Sequence, residues 1–378
     1  MKVGIVVPYS WSFWGGVVEH AENQALALRD IGVETRTLIG NDPPGGFTRA
    51  LHPRSGRHGE PPPDVIPVGR SVIVPANGSL PNIVLSPAAI LRVRRALREE
   101  QFDVVHVHEP MTPAIATAAL CFARCPIVTT SHANGDLNWM RPARAAWGFL
   151  QDRVDARIAV SEYARDSAAR WLPGDYEIIP NGVQIPPESP LGERDDTIVF
   201  IGRQEPRKGM SVLLAAWPDV HRCTGARLRL VGADPLAVRL LIQRKRFSEE
   251  GVDILGIVDD ATLTHELQRA KALAAPSIGG ESFGMVLTRA FACATPVVAS
   301  DIPGYRDVMR EDTGLLVPPG DPAALADALV ALLSDEARRQ QRGAAARRLA
   351  REQYAWTDVA RRLLDVYERV AGRVPVGA

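Results

Sequence analysis

KALAAPSIGGESFGMVLTRAFACATPVVASDIP, residues 271–303, predicts a strand, a glycine turn, a helix and a second strand in succession. The apolar runs Ala272–Pro276 and Pro296–Ser300 have the length of buried strands, and Met285–Ala294 has the character of a helix. A turn of this kind presents the unpaired backbone N–H groups of a helix N-terminus to an anion. The pattern alone is equally typical of an ordinary strand-to-helix connection. An acidic residue in the turn, Glu281, and a basic motif far upstream favour a binding site.

The rest of the second half continues this alternation of strands and helices. Thr197–Gly202 predicts a strand, and Arg203, Lys208 and Gly209 follow it in the order G-R-x4-K-G. Further strand-like runs lie at 227–231, 254–256 and 315–317. Because strands that alternate with helices build parallel sheets, we expect a doubly wound α/β domain here.

The first half predicts a second domain of the same class. Val3–Pro8 is a continuous apolar run, as expected of a parallel strand buried on both faces, and Val17–Ile31 has helical spacing. No G-x-G-x-x-G follows the first strand, so a dinucleotide site is not supported. Pro180–Asp196 is rich in proline and ends in charge, which indicates a linker. We expect domains at 1–185 and 186–355, followed by an amphipathic closing helix at 356–371.

Composition and length exclude several classes of protein. A chain of 378 residues is too long for one ordinary core, and a net charge of +0 gives no electrostatic case for nucleic acid. No apolar run approaches the roughly 20 residues that span a bilayer, and the first apolar run is too short for a secretion signal. The four cysteines lie in apolar surroundings without C-x-x-C spacing, which supports neither zinc nor disulfides and indicates a reducing cytoplasm.

Three histidines lie at or near the ends of predicted strands. His106 and His108 are two residues apart in a strand, so they share one face, and His132 follows the strand 126–131. The carboxyl ends of parallel strands are where ligands bind. A metal site is one interpretation, although the sequence offers no third ligand with supporting spacing. Histidines on a sheet face near a binding cleft are the favoured interpretation.

Two segments leave alternatives open. Residues 41–63 are rich in Gly, Pro, Arg and His, which is typical of a solvated loop and also fits a patch for an anionic headgroup or a phosphorylated acceptor. Residues 137–157 interleave tryptophan with arginine. Core packing is the default for such a helix, and a position on an anionic membrane surface is the alternative. We expect a cytoplasmic protein, peripheral at the inner face of the plasma membrane if 137–157 contacts lipid.

Several motifs together resemble those of retaining GT-B glycosyltransferases of the large family 4. The two leading motifs are Gly202-Arg203-x4-Lys208-Gly209 and Gly280-Glu281-Ser282-Phe283-Gly284. Others in the family's order are Gly15-Gly16, His106-x-His108-Glu109-Pro110, Ser131-His132, Pro180-Asn181-Gly182-Val183 and Gly256-x-Val258-Asp259-Asp260. Over nearly the whole chain the order resembles that of actinobacterial phosphatidylinositol mannosyltransferases. This resemblance implies two Rossmann-like domains facing a central cleft, with the closing helix packed back on the first.

The resemblance also implies an activity and a set of site residues. A hexose, foremost mannose, would pass from a GDP- or UDP-hexose to an acceptor hydroxyl with retained configuration, without metal or other cofactor, and an inositol lipid is the implied acceptor. The residues that the resemblance implies in catalysis are His132, Arg203, Lys208 and Glu281. Donor contacts fall to Gly16, Arg203, Lys208, Val258, Glu281, Ser282, Phe283, Gly284 and Arg289, and acceptor contacts to Tyr9, Gly15, Asn77 and His108. Fixed cations suit a leaving diphosphate, whose charge must be neutralised.

The chain departs from the family pattern at Arg289. The family carries a second glutamate eight positions after the first, where it accepts both ribose hydroxyls, and arginine has donors but no acceptor. Three alternatives therefore stand beside the leading one. They are a sugar-nucleotide epimerase of related fold, which the motif order disfavours, a degenerate protein that binds without catalysis, and a transferase for a soluble acceptor.

Overall fold

The computed structural model of the chain describes residues 1–13, 15–45, 48, 60–74, 81–132, 144–188 and 194–372. It contains two compact units. Unit 1 comprises Met1–Gly182 and Trp356–Ala378, and unit 2 comprises Val183–Ala355. The sequence analysis placed the junction at 185/186, three residues later in the chain.

Unit 1 is built on a sheet whose main strands run parallel in the order β3-β2-β1-β6-β7-β8-β9. Apolar, β-branched runs form these strands because both sheet faces are buried under helices. The strands are β1 Lys2–Ser10, β2 Glu34–Gly40, β3 Val65–Gly69, β4 Val72–Ile73, β5 Asn82–Ile83, β6 Val104–His108, β7 Ile127–Ser131, β8 Ala156–Ala159 and β9 Tyr176–Ile178. The helices are α1 Gly16–Asp30, α2 Pro87–Glu99, α3 Ile115–Phe122, α4 Arg144–Gln151 and α5 Glu162–Ala169.

Unit 2 is built on a second parallel sheet, in the order β12-β11-β10-β13-β14-β15. Its strands are β10 Asp195–Ile201, β11 Arg227–Val231, β12 Val252–Gly256, β13 Ala270–Ala275, β14 Val297–Ser300 and β15 Gly314–Val317. Its helices are α6 Met210–Thr224, α7 Pro235–Lys245, α8 Asp260–Arg269, α9 Met285–Ala292, α10 Pro303–Arg306, α11 Pro322–Ser334 and α12 Glu336–Leu349. The stretch 271–303 therefore forms β13, the turn, α9 and β14, as its pattern predicts.

Side-chain caps start several of these helices. The carboxylate of Asp321 accepts the backbone N–H of Ala324 at 3.0 Å, and Pro322 occupies the first helical position of α11. Asp321-Pro322 is thus an N-cap followed by a proline in the first turn, which is a common helix start. Asp234 caps α7 in the same way, with its Oδ1 2.9 Å from the N–H of Ala237. The sequence analysis did not predict α7.

The chain ends in a helix that completes unit 1, α13 Trp356–Ala371. Its buried side chains join the core formed by β1, α1 and β6, and Trp356, Leu363 and Tyr367 are among them. Gly182 packs against the Trp356 ring so closely that an added Cβ would lie 2.2 Å from it. The apolar face of α13 thus packs against the core of unit 1.

The strand orders fix where a ligand site belongs in each unit. In each sheet, successive strands are first added towards one edge. The chain then returns to the centre of the sheet and adds the remaining strands towards the other edge. The two middle strands are β1 and β6 in unit 1, and β10 and β13 in unit 2. Loops that leave the carboxyl ends of these neighbouring strands diverge and open a crevice, which is the usual ligand position in such sheets.

Candidate active site

The loops after β10 and β13 meet at the crevice of unit 2. Gly209 has a φ of +71°, and an added Cβ there would lie 1.8 Å from the carbonyl oxygen of Pro276. The N–H of Ile278 donates to the carbonyl of Arg207 at 2.8 Å. Glycine at position 209 is therefore required both by its left-handed backbone and by the close approach of the second loop. This contact explains why the two motifs, far apart in sequence, form one site.

Charged side chains from the two loops form a connected set of ion pairs. Glu281 lies 2.7 Å from Lys208 Nζ and 2.6 Å from Arg207 Nη1. Glu205 lies 2.8 Å from Arg207 Nη2 and 2.9 Å from Arg203 Nη2. Arg207 thus bridges the two carboxylates, and the set carries one more cation than anions. An ion-pair set of this kind, mostly shielded from water, holds its side chains in place for an anionic ligand.

A second layer supports the turn that carries Glu281. Gly304 packs against that turn, where an added Cβ would lie 2.0 Å from the carbonyl oxygen of Glu281. The Tyr305 hydroxyl lies 2.8 Å from Ser277 Oγ, and the Tyr305 ring packs under Gly284, whose φ is +92°. Backbone N–H groups from Ser282 onward therefore lead into α9, which begins at Met285. The side chain of Phe283 faces away from this turn, because it is buried edge-on against Tyr354. Any contact of Phe283 with a donor is consequently through its backbone.

The polar centre of unit 1 consists of four buried imidazoles. His106 and His108 lie on β6 with their rings stacked at a centroid distance of 4.6 Å. His132 follows β7, and its Nε2 lies 2.8 Å from His108 Nδ1. His20, on α1, packs edge-on to His132 with 4.7 Å between centroids. The shared face predicted for His106 and His108 is confirmed by this stacking.

Glu109 fixes the position of His132. Its side chain accepts the backbone N–H of His132 at 2.8 Å, and its own N–H donates to the carbonyl of Thr130 at 2.9 Å. The φ of Glu109 is +49°, a left-handed conformation that costs free energy in a residue with a side chain. Such a conformation persists where surrounding bonds hold it, and here they hold the end of β7 and its histidine.

A hydrogen-bonded network ties the imidazoles to α13. His106 Nδ1 lies 2.6 Å from the Tyr367 hydroxyl, and His106 Nε2 lies 2.6 Å from Thr130 Oγ1. The Gln24 amide donates to the Tyr367 hydroxyl at 3.0 Å and reaches His20 Nε2 at 3.2 Å through its oxygen. Gln24, on α1, therefore joins His20 to the closing helix.

Burial keeps all four imidazoles uncharged. Loss of water lowers the pKa of His20 to about 4, and burial together with the neighbouring His20 lowers the pKa of His106 to about 3. Burial, and then the adjacent imidazoles, hold the pKa values of His108 and His132 well below the ordinary value. At neutral pH these rings are neutral hydrogen-bonding groups rather than cations.

Three of these rings could also hold a metal ion. His20, His108 and His132 each offer one nitrogen, and within the described residues these nitrogens lie within 4.8 Å of one another. The sequence offered no third ligand with supporting spacing beside His106 and His108, whereas the structure groups His108 with His20 of α1 and with His132. Two nitrogens of the group, His20 Nδ1 and His108 Nε2, have no hydrogen-bond partner within the described part of the chain.

The residues predicted to contact an acceptor are located next. The ring of His108 is fully buried, and its Nδ1 lies 2.8 Å from His132 Nε2. Gly15 and Gly16 start α1 directly after β1, where Gly16 contributes a first-turn N–H and an added Cβ on Gly15 would meet open space. Tyr9 is half-buried against the unit 1 core, and burial raises the pKa of its hydroxyl.

The remaining predicted residues are also located. Val258 follows β12 at the carboxyl edge of the unit 2 sheet. Arg289, on α9, places its Nη1 3.1 Å from Asp260 Oδ1. Asn77 lies outside the described residues, as do 137–143 of the segment considered for membrane contact.

Sequence reasoning missed His20, Gln24, Glu205 and the bridging role of Arg207. A usable signal for the first two was the buried face of α1, which also carries Ala21 and Leu28. His20 and Gln24 lie four residues apart on that same face, and polar residues in a buried helical stripe indicate a network or a site. For Glu205 the signal was local, because its partners Arg203 and Arg207 lie two residues away on either side in the same loop.

Two family models match the chain, one in each unit. The model described as Glycosyltransferase Family 4 matches residues 14–185, and the model described as Glycosyl transferases group 1 matches residues 195–335. The first range contains all four imidazoles of unit 1, although not the α13 residues that contact them. The second range contains the whole ion-pair set of unit 2.

Curated relatives and solved structures agree with these models. The chain is 39% identical to a phosphatidyl-myo-inositol mannosyltransferase of Mycobacterium leprae, over 98% of this chain and 97% of that one. It is 34% identical to a phosphatidyl-myo-inositol mannosyltransferase of Propionibacterium freudenreichii, over 99% and 96%. Among solved structures, Anabaena HepE in complex with UDP-glucose matches with a TM-score of 0.72 at 19% identity, covering 98% of this chain and 100% of that one. Sucrose-phosphate synthase from Thermosynechococcus elongatus matches with a TM-score of 0.74 at 20% identity, covering 99% and 100%.

The coverage spans both units in each comparison, and the matched structures are two-domain proteins of the GT-B class. This confirms the predicted fold class and the predicted family. The chain is a glycosyltransferase with the GT-B fold and belongs to glycosyltransferase family 4.

Proposed function

We propose that the protein transfers mannose from GDP-mannose to a hydroxyl group of an inositol lipid, with retention of the anomeric configuration and without a metal ion. The observation that carries the proposal is the ion-pair set around Glu281 at the crevice of unit 2. The names of the relatives, which are phosphatidyl-myo-inositol mannosyltransferases, support the sugar and the acceptor.

The cations of unit 2 bind the donor diphosphate in this proposal. When the diphosphate leaves the sugar, negative charge develops on its terminal oxygen, and a fixed cation stabilises that charge. Lys208 and Arg203 supply it, and the N–H of Gly16 in unit 1 is a further donor. Lys208 and Arg207 are already paired with Glu281, so they stand in a fixed geometry before the donor arrives.

Glu281 binds sugar hydroxyl groups, with the N–H groups of Ser282–Gly284 beside it. A carboxylate accepts hydrogen bonds from two hydroxyls at once, which suits a hexose. His132 acts on the sugar from unit 1 as a neutral hydrogen-bonding ring. A neutral imidazole suits the sugar, which carries no charge.

The metal-independent part of this proposal is supported by the excess positive charge of the ion-pair set, which would stabilise the charge of the leaving diphosphate. No cofactor takes part, and the nucleotide sugar is a co-substrate. We further propose that the enzyme acts at the inner face of the plasma membrane, where a lipid acceptor is reached from the cytoplasm.

A transfer assay tests these points together. The protein is incubated with GDP-, UDP- and ADP-hexoses, with phosphatidylinositol in mixed micelles or with free inositol as acceptor, and the product is examined by NMR for the anomeric configuration. We expect a lipid product from GDP-mannose with an α linkage, unchanged by a chelator. Transfer to free inositol alone would indicate a soluble acceptor, and inhibition by the chelator that zinc reverses would make the three-histidine group a metal site.

A second candidate is a degenerate protein that binds a nucleotide sugar without transferring it. Arg289 favours it, because this arginine pairs with Asp260 where the family pattern has a glutamate. Binding of the donor in a thermal-shift screen without turnover of any donor in the assay would support this candidate over the first.

A further inference from the structure

We propose that α7 of unit 2 is a docking surface for an anionic lipid membrane. This inference extends the proposed function, whose acceptor is a lipid, and it names the surface that brings unit 2 to that lipid. It rests on an exposed apolar row and on a group of cations that have no counter-ion within the described chain.

The apolar row consists of side chains that a monomeric protein usually covers. Leu236 and Leu240 lie one helical turn apart on α7 and are 68% and 50% exposed. Ile257, directly after the edge strand β12, is 68% exposed. Pro235 packs against β12, with its Cγ 3.3 Å from an added Cβ on Gly256, so Ile257 lies beside the start of α7. Leu236 and Leu240 therefore form the exposed row, and Ile257 follows the glycine that contacts the first residue of α7.

The cations lie along the same helix and just beyond its end. Arg239, Arg244, Lys245 and Arg246 are exposed, and residues 235–248 contain no acidic residue. Within the described chain none of these four side chains forms a hydrogen bond or an ion pair. This local charge is unusual in a chain whose formal net charge is +0.

Acidic side chains near α7 do not pair with its cations. Asp234 caps α7, and Asp259 caps α8 by accepting the N–H of Thr262 at 2.7 Å. Asp260 pairs with Arg289. Glu249 and Glu250 follow the basic run and are exposed, and Glu250 lies 3.9 Å from His221. Among the described residues, none of these acids lies within ion-pair distance of the four cations.

The arginines of α2 provide an internal contrast. That helix is also basic and exposes Leu91, but three of its four arginines are engaged within unit 1. Arg95 pairs with Glu99 at 2.7 Å, Arg94 lies over the Phe122 ring at 5.2 Å, and Arg92 donates to the carbonyl of Val68 at 3.1 Å. The cations of α7 have no such partners and are available to an external anion.

An anionic membrane fits both features of this surface. A helix that combines exposed leucines with lysine and arginine lies in the interface, where its apolar side chains enter the acyl boundary and its cations meet lipid phosphates. A nucleic acid would satisfy the cations and leave the leucines uncovered. The charge therefore favours a membrane that contains anionic lipid.

Vesicle flotation of the full chain tests this surface apart from catalysis. Vesicles are made of phosphatidylcholine alone or of phosphatidylcholine mixed with phosphatidylglycerol, and no donor is present. We expect binding to the mixed vesicles that weakens with salt. The double variant Leu236→Gln with Leu240→Gln, and the triple variant Arg244→Gln, Lys245→Gln and Arg246→Gln, should each reduce partitioning by more than about tenfold.

Matched controls come from the same unit. Leu316→Gln removes an exposed apolar side chain from β15, and Arg338→Gln with Arg348→Gln removes two exposed cations that have acidic partners on other residues. Both should bind vesicles like the wild type, and all variants should keep the wild-type melting temperature. Equal binding of the α7 variants and the wild type, or no binding by the wild type to either vesicle, would overturn the proposal.

Transfer to acceptor dispersed in detergent separates this proposal from the proposed function. If the α7 variants fail on vesicles and still transfer to detergent-dispersed phosphatidylinositol, the docking surface and the activity both stand. If the wild type binds vesicles through α7 and transfers no sugar, the surface stands and the proposed function fails.

Discussion

Unit 1 gathers four neutral imidazoles in a buried network, whereas unit 2 gathers three cations and two carboxylates in a set of ion pairs. Both centres lie at the switch point of a parallel sheet, so the fold is not what distinguishes them. The difference lies in the residues that each sheet presents there. A charged ligand part is expected at unit 2, and an uncharged, hydroxyl-rich part at unit 1.

The two centres also differ in how they are held. The imidazoles are held by helices that are distant in sequence, since Gln24 of α1 and Tyr367 of α13 both reach them. The charges of unit 2 are held by two adjoining loops, through a glycine contact and one backbone bond. Unit 1 therefore depends on the last helix of the chain, and unit 2 is complete without it.

Removal of the closing helix is expected to have the largest effect. A chain that ends after Ala355 loses the buried side chains Trp356, Val359, Ala360, Leu363, Val366, Tyr367 and Val370. Burial of each large apolar side chain contributes about 1.5–3 kcal/mol, and their sum exceeds the about 5–15 kcal/mol that stabilises a typical domain. Unit 1 should unfold while unit 2 remains folded. Calorimetry should then show one transition in place of two.

A chain that ends at Gly372 is the matched control and should melt like the full protein. Limited proteolysis of the shorter chain should leave a protected fragment close to Val183–Ala355. If both units unfold, the independence of unit 2 is wrong. If the melting behaviour is unchanged, the packing of α13 contributes little.

Acid should destabilise unit 1 by several kcal/mol. The four native imidazoles have lowered pKa values, about 4 for His20 and about 3 for His106, whereas in the unfolded chain each titrates near about 6.5. Below that value the unfolded state binds protons that the native state does not, so stability falls as the pH falls towards the native pKa values. Each histidine contributes up to about 1.4 kcal/mol per pH unit in this range.

Urea unfolding between pH 7.5 and pH 5, followed by a probe within unit 1, measures this slope. His20→Gln should reduce the slope by about one proton, because it removes one of the four titrating groups. Unit 2 supplies the internal control, since all four buried imidazoles lie in unit 1. A flat profile for unit 1 would mean that its imidazoles are not buried as neutral rings.

Substitution of the cations of unit 2 should weaken donor binding by an intermediate amount. Lys208→Ala should cost about 2–3 kcal/mol in the affinity for a nucleoside diphosphate, because a charged hydrogen bond is lost in a shielded site. Arg203→Ala should cost less, since 58% of its side chain is exposed. The affinity for the nucleoside should change little in either variant. Titration calorimetry with both ligands checks the difference.

Arg222→Ala is the control for these variants, because this exposed arginine of unit 2 pairs with Asp219 away from the two loops. It should leave both affinities unchanged. If both variants lost equal affinity for the nucleoside and for the nucleoside diphosphate, Lys208 and Arg203 would not bind the diphosphate. The assignment of the charged ligand part to unit 2 would then be wrong.

Much of the fold could be predicted from the sequence because its signals are local. Continuous apolar runs such as Val3–Pro8 mark parallel strands, and Asp321-Pro322 marks a helix start. α7 was missed because its leucines do not follow the pattern of a helix buried on one face, since two of them are exposed. The exposed leucines that obscured the helical pattern are also the basis for the proposed membrane surface.

The candidate site could be predicted in part. Lys208 and Glu281 were identified by motif, and the structure brings them within 2.7 Å of each other. Two supporting contacts could not be predicted, because His20 of α1 reaches His132 after β7, and Arg207 reaches Glu281, only through tertiary structure. Sequence spacing reports neighbours on one helix or strand, and it carries no information on which loops meet.

The last prediction concerns Arg289 and has the smallest expected effect. It tests whether this charge of unit 2 contacts the nucleotide donor. A carboxylate at this position would accept hydrogen bonds from ribose hydroxyls, which the arginine cannot do. We expect Arg289→Glu to tighten the nucleotide donor by about 1–3 kcal/mol, the range for a charge-assisted hydrogen bond that was absent. Asp260, 3.1 Å from Arg289 in the native chain, would then face a like charge, so the substitution is also made with Asp260→Asn. Arg289→Gln is the control that removes the cation without adding an acceptor. Titration of each form with GDP-mannose decides the matter: loss of binding in both Arg289 variants would assign Arg289 to an anion of the donor, and unchanged affinity throughout would place it outside the donor site.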